Sequence, residues 1–278
     1  MMDIGTAKTI APGVDMPTLG LGVYKVENGQ EAYRAVRFAL DAGYRLIDTA
    51  SFYFNEESVG EAIRDSLIPR EKLFITTKLW PLEFGDVQKA AAGSLKRLGC
   101  GYIDLYLLHW PGLDTKLRLR AWEEVQELKD KGKIRACGVS NFFIRHLEEL
   151  KEHGGAVPAN DQVELHPWLQ QRGLRDYCAK NGISVTAWGP IFHGHLAEEP
   201  LVGEIGGKYG KTPAQATLRW HLQKGINVIP KSVHKSRIEE NADLFDFSLS
   251  EEDMKRIDGL DKGMSFGRDP DVFDGHID

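Results

Sequence analysis

The fold that this sequence predicts is a (β/α)8 TIM barrel, an α/β architecture, with an N-terminal β-hairpin ahead of it and an extra helix and tail behind it. Three observations carry that prediction. Short apolar β-type runs alternate with amphipathic helical stretches from Leu19 to Phe245. Eight such units fit into about 225 residues, whereas the rival doubly wound open sheet usually has fewer. The strand runs are also apolar almost throughout, as in a parallel sheet whose faces are both covered.

In chain order, TIAPGVDMP predicts the opening hairpin. LGLGVYK (19–25) follows as the first barrel strand, with GQEAYRAVRFALDAG as its helix. YRLIDTA (44–50) pairs with EESVGEAIRDSL, and LFITTKL (73–79) with DVQKAAAGSLKRLG. IDLYLLH (103–109) precedes RAWEEVQELKDKGK, and IRACGVSN (134–141) precedes HLEELKEHG. DQVELH (161–166) leads to GLRDYCAKNG. SVTAWGP (184–190) leads through a long connection, Gly189–Pro200, to PAQATLRWHLQKG. INVIPKS (226–232) and SRIEENADLF complete the eighth unit. SLSEEDMKRIDGLD is the extra helix, and Gly263–Asp278 a polar, glycine-rich tail. Gly43, Gly99, Gly154, Gly182 and Gly225 end helical stretches, where a left-handed residue closes a helix. No stretch has the composition of a linker, so residues 1–278 are expected to form a single domain.

Composition narrows the function. The 278 residues are 42% hydrophobic and 27% charged, an ordinary globular balance with a sizeable core. Three cysteines, Cys100, Cys137 and Cys178, lie far apart with no CxxC pair, which argues against a disulfide framework and for a reducing compartment. A net charge of −6 and the lack of a Lys/Arg run disfavour nucleic acid. The N-terminus MMDIGTAKTIAPG has no signal-peptide apolar stretch, and no apolar run approaches the roughly 18 residues of a membrane span. A soluble, cytoplasmic protein acting on a small molecule is expected.

Barrel enzymes build their sites at the C-terminal ends of the strands. There the sequence puts Asp48, Lys78 and His109 on three successive strands, with Tyr53 in the loop SFYFNEE just after Asp48. Ser140 and Asn141 end the fifth strand, Gln162 lies on the sixth, Trp188 on the seventh, and Lys231 and Ser232 end the eighth. A strand-end ionisable group alone can simply be solvated; four titratable groups together point to proton transfer. A phenol, pKa about 10, is a poor acid at neutral pH, and a neighbouring ammonium lowers that value. Lys78 can supply the charge, Asp48 can hold Lys78 in place, and His109 can hydrogen-bond the same substrate oxygen. Such a set polarises a carbonyl that a nucleophile from elsewhere attacks.

The runs LGLGVYKV, YRLIDTASFYFNEESVG, LFITTKLW, DLYLLHWP, GVSNF, QVELHP, AWGP and IPKSVHKSRIEEN, in this order, resemble the aldo-keto reductase family over nearly the whole chain. The likeness is greatest to its short bacterial 2,5-diketo-D-gluconate reductase-like branch. The resemblance implies a catalytic tetrad of Asp48, Tyr53, Lys78 and His109, NADPH as hydride donor, a small carbonyl substrate and a monomer. It implies that Ser140, Asn141 and Gln162 hold the nicotinamide carboxamide and that Trp188 stacks on the ring. Gly189 and Ile191 would line the cofactor, while Lys231, Ser232, Arg237, Glu240 and Asn241 would take the adenosine and its 2′-phosphate. Arg237 offers a planar fork and Lys231 a point charge for that phosphate. SRIEEN also reads simply as the start of an amphipathic helix, and both readings can hold. Tyr24, Trp80 and Trp110, with His109, would wall the substrate pocket.

This chain departs from the family pattern at Tyr24, where many relatives have Trp, at Asp161, where Asn is usual, at His234, and in the connection GPIFHGHL. GGKYGKT (206–212) has the look of a P-loop, but Ile205 stands where its first glycine belongs. Thr212–Pro213–Ala214–Gln215 predicts a helix start there instead. His109, His166, Glu164 and Asp48 lack metal-ligand spacing, so no metal is expected. A metal-dependent barrel enzyme is the first rival function, and chelation separates it from a reductase. A cofactor-binding regulatory subunit is the second, and the complete tetrad argues against it.

Overall fold

The computed structural model describes residues 2–277. Strands β1 (Ala7–Ala11) and β2 (Val14–Pro17) form the expected antiparallel hairpin, with Lys8 opposite Met16. The barrel strands follow in sequence order, each parallel to the next. They are β3 (Gly20–Gly22), β4 (Leu46–Asp48), β5 (Phe74–Leu79), β6 (Ile103–Leu108), β7 (Ile134–Ser140), β8 (Asn160–Glu164), β9 (Ser184–Trp188) and β10 (Asn227–Val228). Parallel bridges Leu19–Val228 and Gly22–Lys231 join the last strand to the first. The bonds Val228 N–Thr18 O (2.9 Å) and Gly22 N–Pro230 O (3.3 Å) close the ring. The fold is the predicted (β/α)8 barrel.

The helices are α1 (Gln30–Asp41), α2 (Glu56–Asp65), α3 (Val87–Leu98), α4 (Thr115–Asp130), α5 (Ile144–Glu152), α6 (Arg172–Lys180), α7 (Pro200–Lys208), α8 (Pro213–Gln223), α9 (Lys235–Ala242) and the extra helix α10 (Glu251–Asp258). The five helix-ending glycines all have positive φ, between 58° and 96°. α7 was not foreseen. Gly203, Gly206 and Gly207 depress its helix propensity, and tertiary packing of Val202 and Ile205 into the core overrides that. The motif GGKYGKT spans the end of α7 and the turn into α8. Thr212 Oγ1 accepts from Gln215 N (3.2 Å) while Gln215 Oε1 accepts from Thr212 N (2.9 Å), the capping box expected there.

Two apolar layers position the site. Buried side chains between sheet and helices, such as Val36, Val59, Ile75, Trp122, Leu147 and Leu218, form the outer core. Inside the barrel, Leu46, Phe74, Leu105, Leu107 and Ile229 pack with Ile10, Val14 and Met16 of the hairpin, so the hairpin plugs the N-terminal end. There buried Asp104 accepts from Arg70 (2.6 Å) and Arg135 (2.7 Å), and Arg135 also donates to Gly13 O (2.8 Å). The open end of the barrel is therefore the end where strands finish. Several strands are shorter than their apolar runs: β10 stops at Val228, two residues before Pro230, which has no N–H for a ladder.

Candidate active site

Asp48 ends β4, Lys78 lies one residue from the end of β5, and His109 follows β6 directly. Tyr53 closes a single 3₁₀ turn, Ser51–Tyr53, after which Phe54 takes a left-handed φ of 55° and turns the chain toward α2. The strand ends and this turn bring the four side chains to one point. Lys78 Nζ is fully buried and donates to Asp48 Oδ1 (2.5 Å), Thr49 O (2.9 Å) and Tyr53 Oη (3.2 Å). An ammonium has three N–H groups, and each has an acceptor. The other Asp48 oxygen accepts from Gln162 Nε2 (2.6 Å) across the barrel. Tyr53 Oη lies 3.4 Å from His109 Nε2. His109 Nδ1 is buried with no hydrogen-bond partner among the described residues.

Burial pushes the Asp48 carboxyl up and the Lys78 ammonium down, and in each case the partner's charge opposes the shift. Burial, with the Lys78 charge, puts His109 well below 6.5, so its ring is neutral near pH 7. At Tyr53 burial works against the effect expected of Lys78. Burial of the hydroxyl, then the charge of Asp48 and the neighbouring Tyr24, push it well above 10. Lys78 Nζ, at 3.2 Å, opposes this shift by favouring the phenolate, while Asp48 on the same ammonium acts against it. Tyr53 therefore stays a protonated phenol.

Beside this group, Ser140 Oγ donates to Gln162 O (2.7 Å). Asn141, held at φ 63°, donates through Nδ2 to His109 O (3.0 Å) and Ser140 Oγ (3.1 Å). Its Oδ1 accepts from Trp188 Nε1 (2.9 Å). Both amide protons of Asn141 are thus engaged within the protein, leaving one Oδ1 lone pair for a ligand. Trp188 is half-buried, Gly189 has a φ of 60°, and Ile191 packs on the core.

The remaining cofactor candidates form a second group at α9. Ser232 Oγ accepts from His234 N (3.1 Å), which shapes the turn into the helix. Asn241 is buried, while Lys231 and Arg237 are exposed, with no ion-pair partner among the described residues. Glu240 Oε1 accepts from the cap residue Thr212 (2.6 Å), so this carboxylate also ties α9 to α8.

The third group is aromatic. Tyr24 and Tyr53 have ring centroids 5.0 Å apart, and Trp80 stands edge-on to His109 at 4.9 Å. Phe52 stacks on Trp80 at 3.9 Å. Phe273 from the tail packs on Trp110 (4.8 Å) and Trp80 (5.7 Å), and Trp80 Nε1 donates to Gly275 O (2.9 Å). Phe52, Phe273 and Gly275 are wall residues that the sequence did not single out. Aromatic residues in an otherwise polar tail were the available signal.

A model of the aldo/keto reductase family matches residues 18–262. The glyoxal reductase of Bacillus subtilis (strain 168) is 50% identical over 261 residues, covering 93% of this chain and 94% of its own. Methylglyoxal reductase DkgA of Escherichia coli (strain K12) is 44% identical, with 97% of this chain and 98% of that protein covered. An aldo-keto reductase crystal structure from a Medee basin deep-sea metagenome library superposes with a TM-score of 0.93 at 41% identity, covering 97% of this chain and all of that one. The aldo/keto reductase of Brucella melitensis gives 0.89 at 44% identity, covering 92% and 99%.

Proposed function

The chain belongs to the aldo/keto reductase family, an oxidoreductase acting on carbonyl groups, and from that premise we propose that it reduces small aldehydes and ketones with NADPH, Tyr53 being the proton donor. The single observation that carries the proposal is Lys78 Nζ bridging Asp48 Oδ1 at 2.5 Å and Tyr53 Oη at 3.2 Å. The family generally uses NAD(P)H, and the residues here suit a dinucleotide. Trp188 is fixed by Asn141 and only half-buried, and Arg237 and Lys231 are cations near the start of α9 without an ion-pair partner among the described residues. A helix N-terminus adds backbone N–H groups for an anion.

Bound NADPH would supply hydride to the carbonyl carbon; the protein's own groups handle the oxygen. A neutral His109 with its proton on Nε2 donates to the carbonyl oxygen and leaves Nδ1 as the unpaired acceptor, the less costly orphan of the two. Tyr53 gives its proton to the forming alkoxide. Its raised pKa does not prevent this, since an alkoxide's conjugate alcohol is a far weaker acid than a phenol, about as weak as water. The phenolate then left is met by the Lys78 ammonium at hydrogen-bond distance. Ser140, Asn141 and Gln162 are proposed to hold the carboxamide, Gly189 and Ile191 to line the nicotinamide end, and Lys231, Ser232, Arg237, Glu240 and Asn241 to hold the adenosine end. Tyr24, Trp80 and Trp110 would enclose the substrate.

The aromatic walls and the two dicarbonyl reductases among the relatives support 2-oxoaldehydes as the substrate class. The test is loss of NADPH absorbance with methylglyoxal and a panel of keto-sugars and keto esters. Turnover with NADPH that survives EDTA is expected; the absence of any NADPH-dependent turnover across the panel would refute the proposal.

A further inference from the structure

Glu164, the last residue of β8, is nearly fully buried and accepts four hydrogen bonds. Ser265 Oγ (2.6 Å) and Gly267 N (2.9 Å) reach Oε2, while Phe266 N (2.8 Å) and His166 Nε2 (3.1 Å) reach Oε1. Burial alone would raise this carboxyl, but the bonds from His166, Ser265, Phe266 and Gly267 hold it below 4.5 as an anion. Three of the four donors belong to one short segment of the C-terminal tail. Upstream, Lys262 N and Met264 N bond to Trp168 O (2.9 and 3.1 Å), so the segment is fixed at both ends.

This segment lies against Trp188. A Cβ placed on Gly267 would come within 2.7 Å of Trp188 Cη2, 3.2 Å of Cζ2 and 2.9 Å of Glu164 Oε2. The first distance is about 0.8 Å short of a ~3.5 Å carbon–carbon contact. Gly267 does not have positive φ, so the case for glycine here is the close contact and not the left-handed backbone. The indole is thus held on two sides, by Asn141 at Nε1 and by Gly267 at the far edge of the six-membered ring. Next to Gly267, the Phe266 ring lies parallel to His195 at 4.5 Å, so the same segment reaches the 189–200 connection.

We propose that Glu164 and Gly267 are positioning residues: the Glu164 carboxylate draws Ser265–Gly267 against the edge of Trp188 and so sets the plane on which the nicotinamide docks. This rests on the reading of Trp188 as the stacking residue. The C-terminal tail then serves two ends of the site, with Phe273 on the substrate wall and Gly267 behind the cofactor wall.

Gly267→Ala keeps every donor to Glu164 but crowds Oε2 and the indole edge, forcing the ring and segment apart. Glu164→Gln keeps the shape and replaces an acceptor oxygen by an NH2 group facing donors. The readouts are the dissociation constant of NADPH, from fluorescence quenching, and the KM of methylglyoxal at saturating NADPH. Both variants should raise the NADPH constant at least tenfold and leave the methylglyoxal KM within about twofold. Gly173→Ala, on α6 with no atom within 4 Å of an added Cβ, should change neither. In a Trp188→Phe background the smaller ring should make Gly267→Ala nearly silent, a non-additivity that simple loosening of the tail would not give. Variants that shift only the methylglyoxal KM, or equal effects of Gly267→Ala in both backgrounds, would overturn the proposal. If Trp188→Phe itself leaves NADPH affinity unchanged, the stacking role fails and this inference fails with it.

Discussion

Asp161 offers the sharpest test of how the fold tolerates its own sequence. It lies on β8 with no exposed surface, and among the described residues its carboxyl has no side-chain partner and at most a weak contact with the Phe142 backbone. Burial pushes its pKa well above 3.8, so the folded protein holds a neutral acid that the unfolded chain ionises. Because the folded value is raised, stability is fully present below the unfolded pKa of about 3.9 and is lost as pH rises toward the folded one. The loss is about 1.4 kcal/mol for each pH unit over which the folded acid stays protonated and the unfolded one is ionised. Asp161→Asn keeps the shape and removes the titration. For a chain of this size, about 2 °C of melting temperature accompanies each kcal/mol. The variant should gain roughly 3 °C over the wild type for each such pH unit above the unfolded value, measured by calorimetry, with little difference near pH 4. A gap that does not change with pH would show that Asp161 is not a buried neutral acid.

Lys78→Met removes the partner of a buried carboxylate, which costs about 3–5 kcal/mol when one member of such a pair is lost. Asp48 then takes up a proton and its pKa rises further. The melting-temperature deficit should therefore widen from pH 5 to pH 8, and Asp48→Asn added to Lys78→Met should recover most of it without restoring activity. Equal deficits at both pH values would contradict this. Arg237→Ala should weaken NADPH by about 10 to 150-fold, the worth of a charge-assisted bond of 1.5–3 kcal/mol, and barely affect NADH. Equal losses for both cofactors would mean that Arg237 does not read the phosphate. Since Tyr53 is pushed above 10, the reduction rate should show no loss of the proton donor up to pH 9; a falling limb below pH 9 that Tyr53→Phe abolishes would show that Tyr53 titrates lower than its burial implies.

The barrel and the tetrad were legible because each rests on local signals: apolar runs with glycine stops, and ionisable residues at successive strand ends. Lys78 and Asp48 stood out as charges where a strand should be apolar. The burial that opposes their effect on Tyr53 was not legible, nor was how closely Asp48 sits on Lys78, 2.5 Å in the fold. α7 was hidden by its three glycines, whose cost is met by packing that only the assembled barrel supplies. The Glu164 clasp joins residues about a hundred positions apart, and QVELHP gives no hint of what its glutamate faces. Phe273 and Gly267 were passed over because a polar, glycine-rich tail reads as loose chain, whereas here its few apolar and small positions are fitted to Trp110 and Trp188.

The central claim is that Tyr53 protonates the carbonyl oxygen while its hydroxyl is held by Lys78. Single-turnover oxidation of bound NADPH by methylglyoxal, compared between wild type and Tyr53→Phe, tests it most directly. The substitution removes one oxygen and leaves the ring against Tyr24, so NADPH affinity and melting temperature should stay close to wild type. The rate constant should fall by about 10² to 10⁴-fold, the range that general acid catalysis contributes. A Tyr53→Phe protein that oxidises NADPH at nearly the wild-type rate would contradict the account.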